Sequence, residues 1–272
     1  MINNILFNFF KKTLNKNKKF KRIHEGKSCY IFGNGSSLKY FDLKNFSDKI
    51  SIGTGLLLSH KDCHKLNLKY YYTGHTFFYY KYWINPYSNK IEKNILGNVY
   101  KQNILNNPQI DFFVSLTNYF AFKRKNLNYV HHFNKKFSSK NIYNLHEKFS
   151  FINGALSAMI GIAIYLGFKK IFLVGCDYTI IPTIQRHFYE YGKVKLKNHK
   201  RPYAEIYLNA AQNVCDIKTV TLNRKYNGEI LSSISYKELT NHEIVYNENH
   251  NLINQKVLND LNKTNMNYKI FD

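Results

Sequence analysis

Three short apolar runs, each closing on a small or polar tip, constrain this chain more than anything else in it. "SCYIFG" (Ser28 to Gly33) runs into Asn34-Gly35-Ser36-Ser37, "KISIGTG" (Lys49 to Gly55) ends at Thr54-Gly55, and "NLKYYYTGH" (Asn67 to His75) ends at Thr73-Gly74-His75. Runs this short are buried strands rather than helices, and each is followed by a polar turn or a helix-like pattern, as in "LLLSHKDCHKL". That alternation is the signature of an α/β fold with one doubly wound, mostly parallel sheet, in which ligands sit at the carboxyl ends of the strands. Two more strands are expected at Ile110 to Leu116 and Leu127 to Phe133.

The clearest unit comes next. Asn153 to Gly167 is apolar all round and rich in small residues, as a buried helix is, with Gly167 as its terminating glycine. "KKIFLVGCDYT" follows as a fully apolar strand ending at Gly175-Cys176-Asp177. An amphipathic helix over Tyr203 to Cys215 and a strand over Ile217 to Asn223 complete the pattern, while 77–109 yields no assignment. The expected organisation is an N-terminal basic segment, 1–27, a domain over 28–234 with a lid at about 178–202, and a polar, peripheral extension over 235–272.

The formal charge of +23 raises nucleic acid as a partner, and the identity of the cations argues against it. Only Arg22, Arg124, Arg186, Arg201 and Arg224 among the 40 basic residues are arginine, the residue that reads base edges bidentately and stacks on bases. A lysine-rich surface suits anionic lipid or an anionic substrate better. Cys29, Cys63, Cys176 and Cys215 are widely spaced and read as reduced thiols of a cytoplasmic protein. At the N-terminus, Ile2, Ile5, Leu6, Phe9 and Phe10 recur at helical spacing, and seven basic residues follow between Lys11 and Arg22. A secretory signal carries its charge first, so the segment reads either as an interfacial helix with a polybasic patch or as a helix packed on the domain. Oligomeric state is left open, a homo-oligomer included.

Several chemistries lack their motifs. No Gly-x-x-x-x-Gly-Lys-[Ser/Thr] occurs, which excludes a P-loop NTPase, and the first turn lacks the third glycine of a dinucleotide fingerprint. None of the eight aspartates forms an Asp-x-Asp pair, the usual metal anchor for a nucleoside-diphosphate donor. No metal site is expected; His131 and His132 fall on opposite sides of a strand. The expected site gathers strand tips: Asn34, Ser36 and Ser37 beside Gly33 and Gly35, then Thr54, Thr73, and Asp177. Asn153-Gly154 opens the apolar helix, where free N–H groups and the positive dipole end favour an anion, unless Asn153 is simply an N-cap. "QRHFYEYGKVKLKNHKRPY" adds His187, Tyr189, Tyr191, cations and His199 just after Asp177 and Tyr178, and reads as a functional lid.

"IFGNGSSLK" and "FINGALSAMIGIAIYLGFKKIFLVGCDY" together resemble the bacterial lipooligosaccharide sialyltransferases of glycosyltransferase family 42. They are also similar to a wider Rossmann-like group containing the motility accessory factor glycosyltransferases and hydroxymethylpterin pyrophosphokinase. The likeness spans Ser28 to Asn223 without 77–150. It implies a single Rossmann-like domain in which Gly33-Asn34-Gly35 and Ile152-Asn153-Gly154 hold a CMP-sugar. Thr54 and Thr73 would line the nucleotide, and His199, just before the helix at Tyr203, would be the general base. Thr54 and Thr73 stand where the family has asparagine, Ile152-Asn153-Gly154 where it has Thr-Ser-Gly, and Thr179, beside Tyr178, where it has tyrosine. The expected activity is inverting, metal-independent and without a cofactor. A nonulosonate such as sialic acid passes from CMP to a cell-surface or lipid-linked glycan at the inner membrane face. A Mg/ATP pyrophosphokinase and a nucleic-acid-binding module are the alternatives.

Overall fold

The computed structural model describes residues 2–80, 90–132, 144–149, 154–197, 205–223 and 231–263. In chain order, helix α1 (Ile2–Asn15) leads to strands β1 (Ser28–Phe32), β2 (Ile50–Thr54) and β3 (Leu68–Thr73), helix α2 (Lys90–Asn106), and strands β4 (Asp111–Ser115), β5 (Leu127–His132) and β6 (Lys148–Phe149). Helix α3 (Ala155–Leu166) and strand β7 (Lys170–Val174) follow, then the hairpin strands β8 (Thr183–Gln185) and β9 (Lys195–Lys197) and helix α4 (Glu205–Gln212). Strands β10 (Asp216–Thr221) and β11 (Ser232–Ser235) and helices α5 (Tyr236–Thr240), α6 (Asn249–Leu252) and α7 (Gln255–Asn262) close the described chain.

The main sheet has nine strands in the order β11-β10-β7-β1-β2-β3-β4-β5-β6. Every pairing in it is parallel. The chain starts in the middle at β1, walks outward to β6, returns beside β1 as β7, and walks out the other way. The order therefore reverses between β1 and β7, and this is where a doubly wound sheet opens a crevice at its carboxyl edge. Alternation along the strands fills two cores: Tyr30 and Phe32 of β1 face one side with Phe172 and Val174 of β7, while Cys29 and Ile31 face the other with Ile171 and Leu173. Helix α3 covers the second side, nearly all of it buried, and stops at Gly167 in the left-handed conformation (φ 96°), whose N–H reaches back to Ala163 and Ile164.

The structure departs from the sequence reading at several places. The stretch Leu56 to Leu66, read as a helix, forms two 3₁₀ turns, Leu57–Ser59 and Cys63–Lys65, and so do Ser36–Tyr40 after the first glycine turn. Helix α2 lies where no assignment was made. The segment after residue 235, expected to be peripheral, is built into the core: Tyr236 stacks on Phe41 at 4.8 Å, and Leu252, Ile253, Leu258 and Leu261 are buried. The N-terminal segment is fastened as well, since Phe10 and Leu14 are buried and Asn17 Nδ2 donates to the carbonyls of Tyr129 and Leu145. No described helix is long and apolar enough to cross a membrane. The four cysteines are buried and unpaired.

Candidate active site

A crevice of about 470 Å³ opens at the carboxyl ends of β1 and β7, within the size range of small-ligand sites. Its walls are Gly33, Asn34 and Gly35 from the turn after β1, Thr54 from the tip of β2, Gly154, Ala155, Leu156 and Met159 from α3, and Gly175 to Tyr178 and His187 from beyond β7. The first turn of α3 thus faces the crevice with its partial positive charge.

The turn after β1 has glycines because another turn lies against it. Gly33 and Gly35 donate to the carbonyls of Val174 and Gly175 at 2.8 Å. A Cβ on Gly33 would sit 2.3 Å from the Gly175 oxygen, and one on Gly35 would meet the Asp177 carboxylate at 2.4 Å. The Gly175 carbonyl lies 2.6 Å from the same position, so the glycine requirement at 35 comes from Asp177 and the Gly175 backbone together. Asn34 spans to the next strand, where its Oδ1 accepts from the N–H of Leu56 at 3.0 Å.

Asp177 is buried, and its carboxylate accepts from Ser37 N at 2.9 Å and from Ser37 Oγ at 2.5 Å. Burial raises its pKa to about 6, opposed by the Ser37 hydrogen bonds and by the charge of His187. Tyr178, beside it, is 42 % exposed. Burial of its ring, then the carboxylates of Glu190 and Asp177, raise the phenol's pKa, so it stays protonated and able to donate at neutral pH.

The segment after β8 lies against the same turn. Ser36 N donates to Arg186 O, Phe188 N to Asn34 O, and Ser36 Oγ to Gln185 O. His187 pairs with Gly35 in an antiparallel bridge. Its Nδ1 is 2.7 Å from Glu190 Oε1, and its ring stacks nearly parallel on Tyr189 at 4.9 Å. With Nδ1 engaged by the carboxylate, Nε2 is the ring atom left for a ligand. The spacing of the lid suggests that His187 is positioned only by closure; the structure instead holds it already, through backbone pairing, stacking and Glu190.

Lys39 explains why this loop has one shape. It is fully buried and donates to the carbonyls of Glu190 and Gly192 at 2.5 and 2.6 Å. Desolvation lowers its pKa to about 8, against the pull of Glu248 and Glu190. Arg186 adds a bond to Tyr191 O, and Asn249 Nδ2 donates to Tyr189 O at 3.0 Å, so the C-terminal segment also braces the loop.

Of the residues expected at the site, Gly33, Asn34, Gly35, Thr54, Gly154, Asp177, Tyr178 and His187 line the crevice together. Ser36 and Ser37 are buried behind it with their hydroxyls bonded to Gln185 O and Asp177. Thr73 is buried at the tip of β3 with its hydroxyl 3.0 Å from Tyr79 Oη, away from the crevice lining. Asn153 and His199 lie outside the described residues. Sequence reasoning missed Glu190, for which the His-x-x-Glu spacing was the available signal, and Lys39, for which there was none. Among the described residues no cluster of His, Cys, Asp and Glu could hold a metal ion.

No protein-family model matches the sequence, and no curated protein does. Among solved structures, the chain is similar to the sialyltransferase CstII from Campylobacter jejuni in complex with cytidine-5'-monophosphate, a substrate analogue: 14% identity, 88% of this chain, 99% of that one, TM-score 0.44. It is similar as well to CST-II in complex with a trisaccharide acceptor and CMP, at 15% identity over 88% of this chain and 100% of that one, with TM-score 0.44. The MAf glycosyltransferase from Magnetospirillum magneticum AMB-1 aligns over 94% of this chain but 42% of its own length, at 12% identity and TM-score 0.42.

Proposed function

We propose that the protein is an inverting, metal-independent glycosyltransferase that moves a nonulosonate such as sialic acid from a CMP-sugar to a glycan acceptor. The observation that carries this reading is the crevice at the β1/β7 switch. There a glycine turn, a helix amino end, a protonated tyrosine and a histidine held by Glu190 converge. The resemblance of the two sequence blocks to the family 42 sialyltransferases supports the same donor.

A CMP-sugar carries a single phosphodiester, so cationic and hydrogen-bonding side chains suffice to offset its charge. The bridge between His187 and Gly35 holds that histidine beside the glycine turn, which in this reading receives the phosphate of the donor. There His187 Nε2 and the Tyr178 hydroxyl would hold the donor phosphate. The base has to approach from the acceptor side, which is the role given to His199 by the resemblance. It takes the proton of the acceptor hydroxyl as that oxygen attacks the anomeric carbon from the face opposite CMP. The new glycosidic bond forms, the sugar–phosphate bond breaks with its electron pair on CMP, and the configuration inverts. The acceptor in this reading is a lipid-linked or cell-surface glycan, met at the inner membrane face.

A thermal-shift screen of nucleotides tests the donor. CMP at millimolar concentration raises Tm while UDP, GDP and ATP with Mg²⁺ do not. Stabilisation by ATP with Mg²⁺ alone would instead identify a pyrophosphokinase-like enzyme.

A further inference from the structure

Helix α1 turns Phe10 and Leu14 into the core, while Asn8, Phe9, Lys11 and Lys12 are exposed. Phe9 is 72% exposed, and Phe120, in the connection from β4 to β5, is 66% exposed. Both rings meet Phe10 edge-on, at 4.9 and 5.9 Å between centroids, so the two bare rings flank one buried anchor. Tertiary packing alone brings them together, since they lie in different segments of the chain.

Exposed cations occur in both segments that carry the rings. Lys11 and Lys12 are exposed on α1, and Lys16, Arg124 and Lys125 are exposed nearby in the same two segments. Lys123 Nζ lies 4.4 Å from the Tyr119 centroid and 5.7 Å from that of Phe120. No carboxylate occurs between Met1 and His24 or between Phe112 and His146. The segments that build this surface thus bring no negative charge of their own to it.

We propose that this patch is a docking surface for an anionic phospholipid bilayer, with Phe9 and Phe120 entering the headgroup–acyl boundary and the lysines resting on lipid phosphates. Exposed aromatic rings gain by leaving water at that boundary, and each cation held within a Debye length of the surface strengthens partition on the order of fivefold. Lysine dominates the patch, and its flexible point charge suits a diffuse layer of phosphates, whereas base recognition and stacking favour arginine. The proposal deepens the membrane-face part of the reading above and is independent of the chemistry in the crevice.

Co-sedimentation of the full chain with extruded vesicles tests it. Binding to phosphatidylcholine mixed with phosphatidylglycerol is expected at low salt, with little binding to phosphatidylcholine alone and release at high salt. The double variant Phe9→Ala/Phe120→Ala should keep its Tm, because both rings are exposed, and partition about tenfold more weakly. Lys12→Glu/Lys123→Glu should weaken it to a similar extent. Undiminished vesicle binding by the phenylalanine variant overturns the proposal. So does a single-stranded oligonucleotide that displaces vesicles and itself requires both rings, an outcome that would make the patch a nucleic-acid surface. Failure of the parent protein to bind anionic vesicles even at low salt, with CMP stabilisation intact, would reject the docking surface and leave the crevice reading standing.

Discussion

The turn after β1 and the helix α1 both mix apolar and polar residues in a few turns of chain, and the fold treats them in opposite ways. At the turn the polar side chains reach internal partners: Ser36 on Gln185 O, Ser37 on Asp177, Asn34 Oδ1 on the N–H of Leu56, Lys39 on two carbonyls of the loop that carries His187. Between Asn8 and Leu14 of α1 the burial is one-sided. Phe10 and Leu14 are packed, while Phe9 and its neighbouring lysines face solvent. The contrast separates rigidity from availability: the crevice holds its groups in one arrangement, and the N-terminal patch keeps its own free for a partner outside the chain.

The largest expected effect is chemical. His199→Ala should lower kcat by roughly 10²–10⁴-fold with CMP stabilisation retained, whereas His187→Ala should chiefly raise KM for the donor. Turnover measured at saturating donor across pH 5 to 9 distinguishes them, and loss of turnover only in the His187 variant would reverse the two roles.

Neighbouring phenylalanines give the sharpest structural contrast. Phe10→Ala should destabilise the fold by about 3 to 4 kcal/mol, since it empties a buried site. Phe9→Ala should change stability by no more than about 0.5 kcal/mol, as an exposed position does. Urea denaturation measures both, and equal costs would mean that α1 has no bare side.

Asp177 makes the crevice pH-sensitive. Its folded pKa, about 6 against an ordinary 3.8, means that the folded state binds the proton more tightly. The associated stability is fully present below about pH 4 and is lost as pH rises through about 6, amounting to as much as roughly 3 kcal/mol. Asp177→Asn should flatten this part of the stability–pH profile relative to the parent. A profile with the same slope in the variant would show that Asp177 is not the group responsible.

Lys39→Met should cost about 2 kcal/mol by leaving the Glu190 and Gly192 carbonyls without their charged donor. It should also raise KM for the donor, because the loop that carries His187 loses its brace. A raised KM with unchanged kcat, alongside the lower stability, is the expected pair of readings.

Much of this architecture is written locally. The strands at Ser28, Lys49, Asn67, Ile110, Leu127 and Lys169 announce themselves because a buried parallel strand must be a short apolar run, and the stop at Gly167 because only glycine enters the left-handed conformation cheaply. The 3₁₀ turns at Leu57–Ser59 and Cys63–Lys65 did not, since an apolar run followed by mixed polar residues carries no mark of where neighbours will interrupt it. The tail beyond 235 misled for the reverse reason: its polar composition hides Tyr236, Ile253 and Leu258, which are few in number but all directed inward.

The sequence by itself determined most strands of the sheet and the polar tips at their carboxyl ends, because strand periodicity and glycine placement are local properties of the chain. The strand order, and with it the switch between β1 and β7 where the crevice opens, came from the tertiary fold. Tertiary structure alone decided the functions of individual side chains. Gly35 is glycine on account of Gly175 and Asp177, both distant in sequence; the lysine at 39 is a buried brace rather than a surface charge; His187 is oriented by Glu190; and Phe9 differs from Phe10 only in which side of α1 meets the core. Each of these depends on a close contact between distant segments, and a contact of that kind has no signature in either segment read alone.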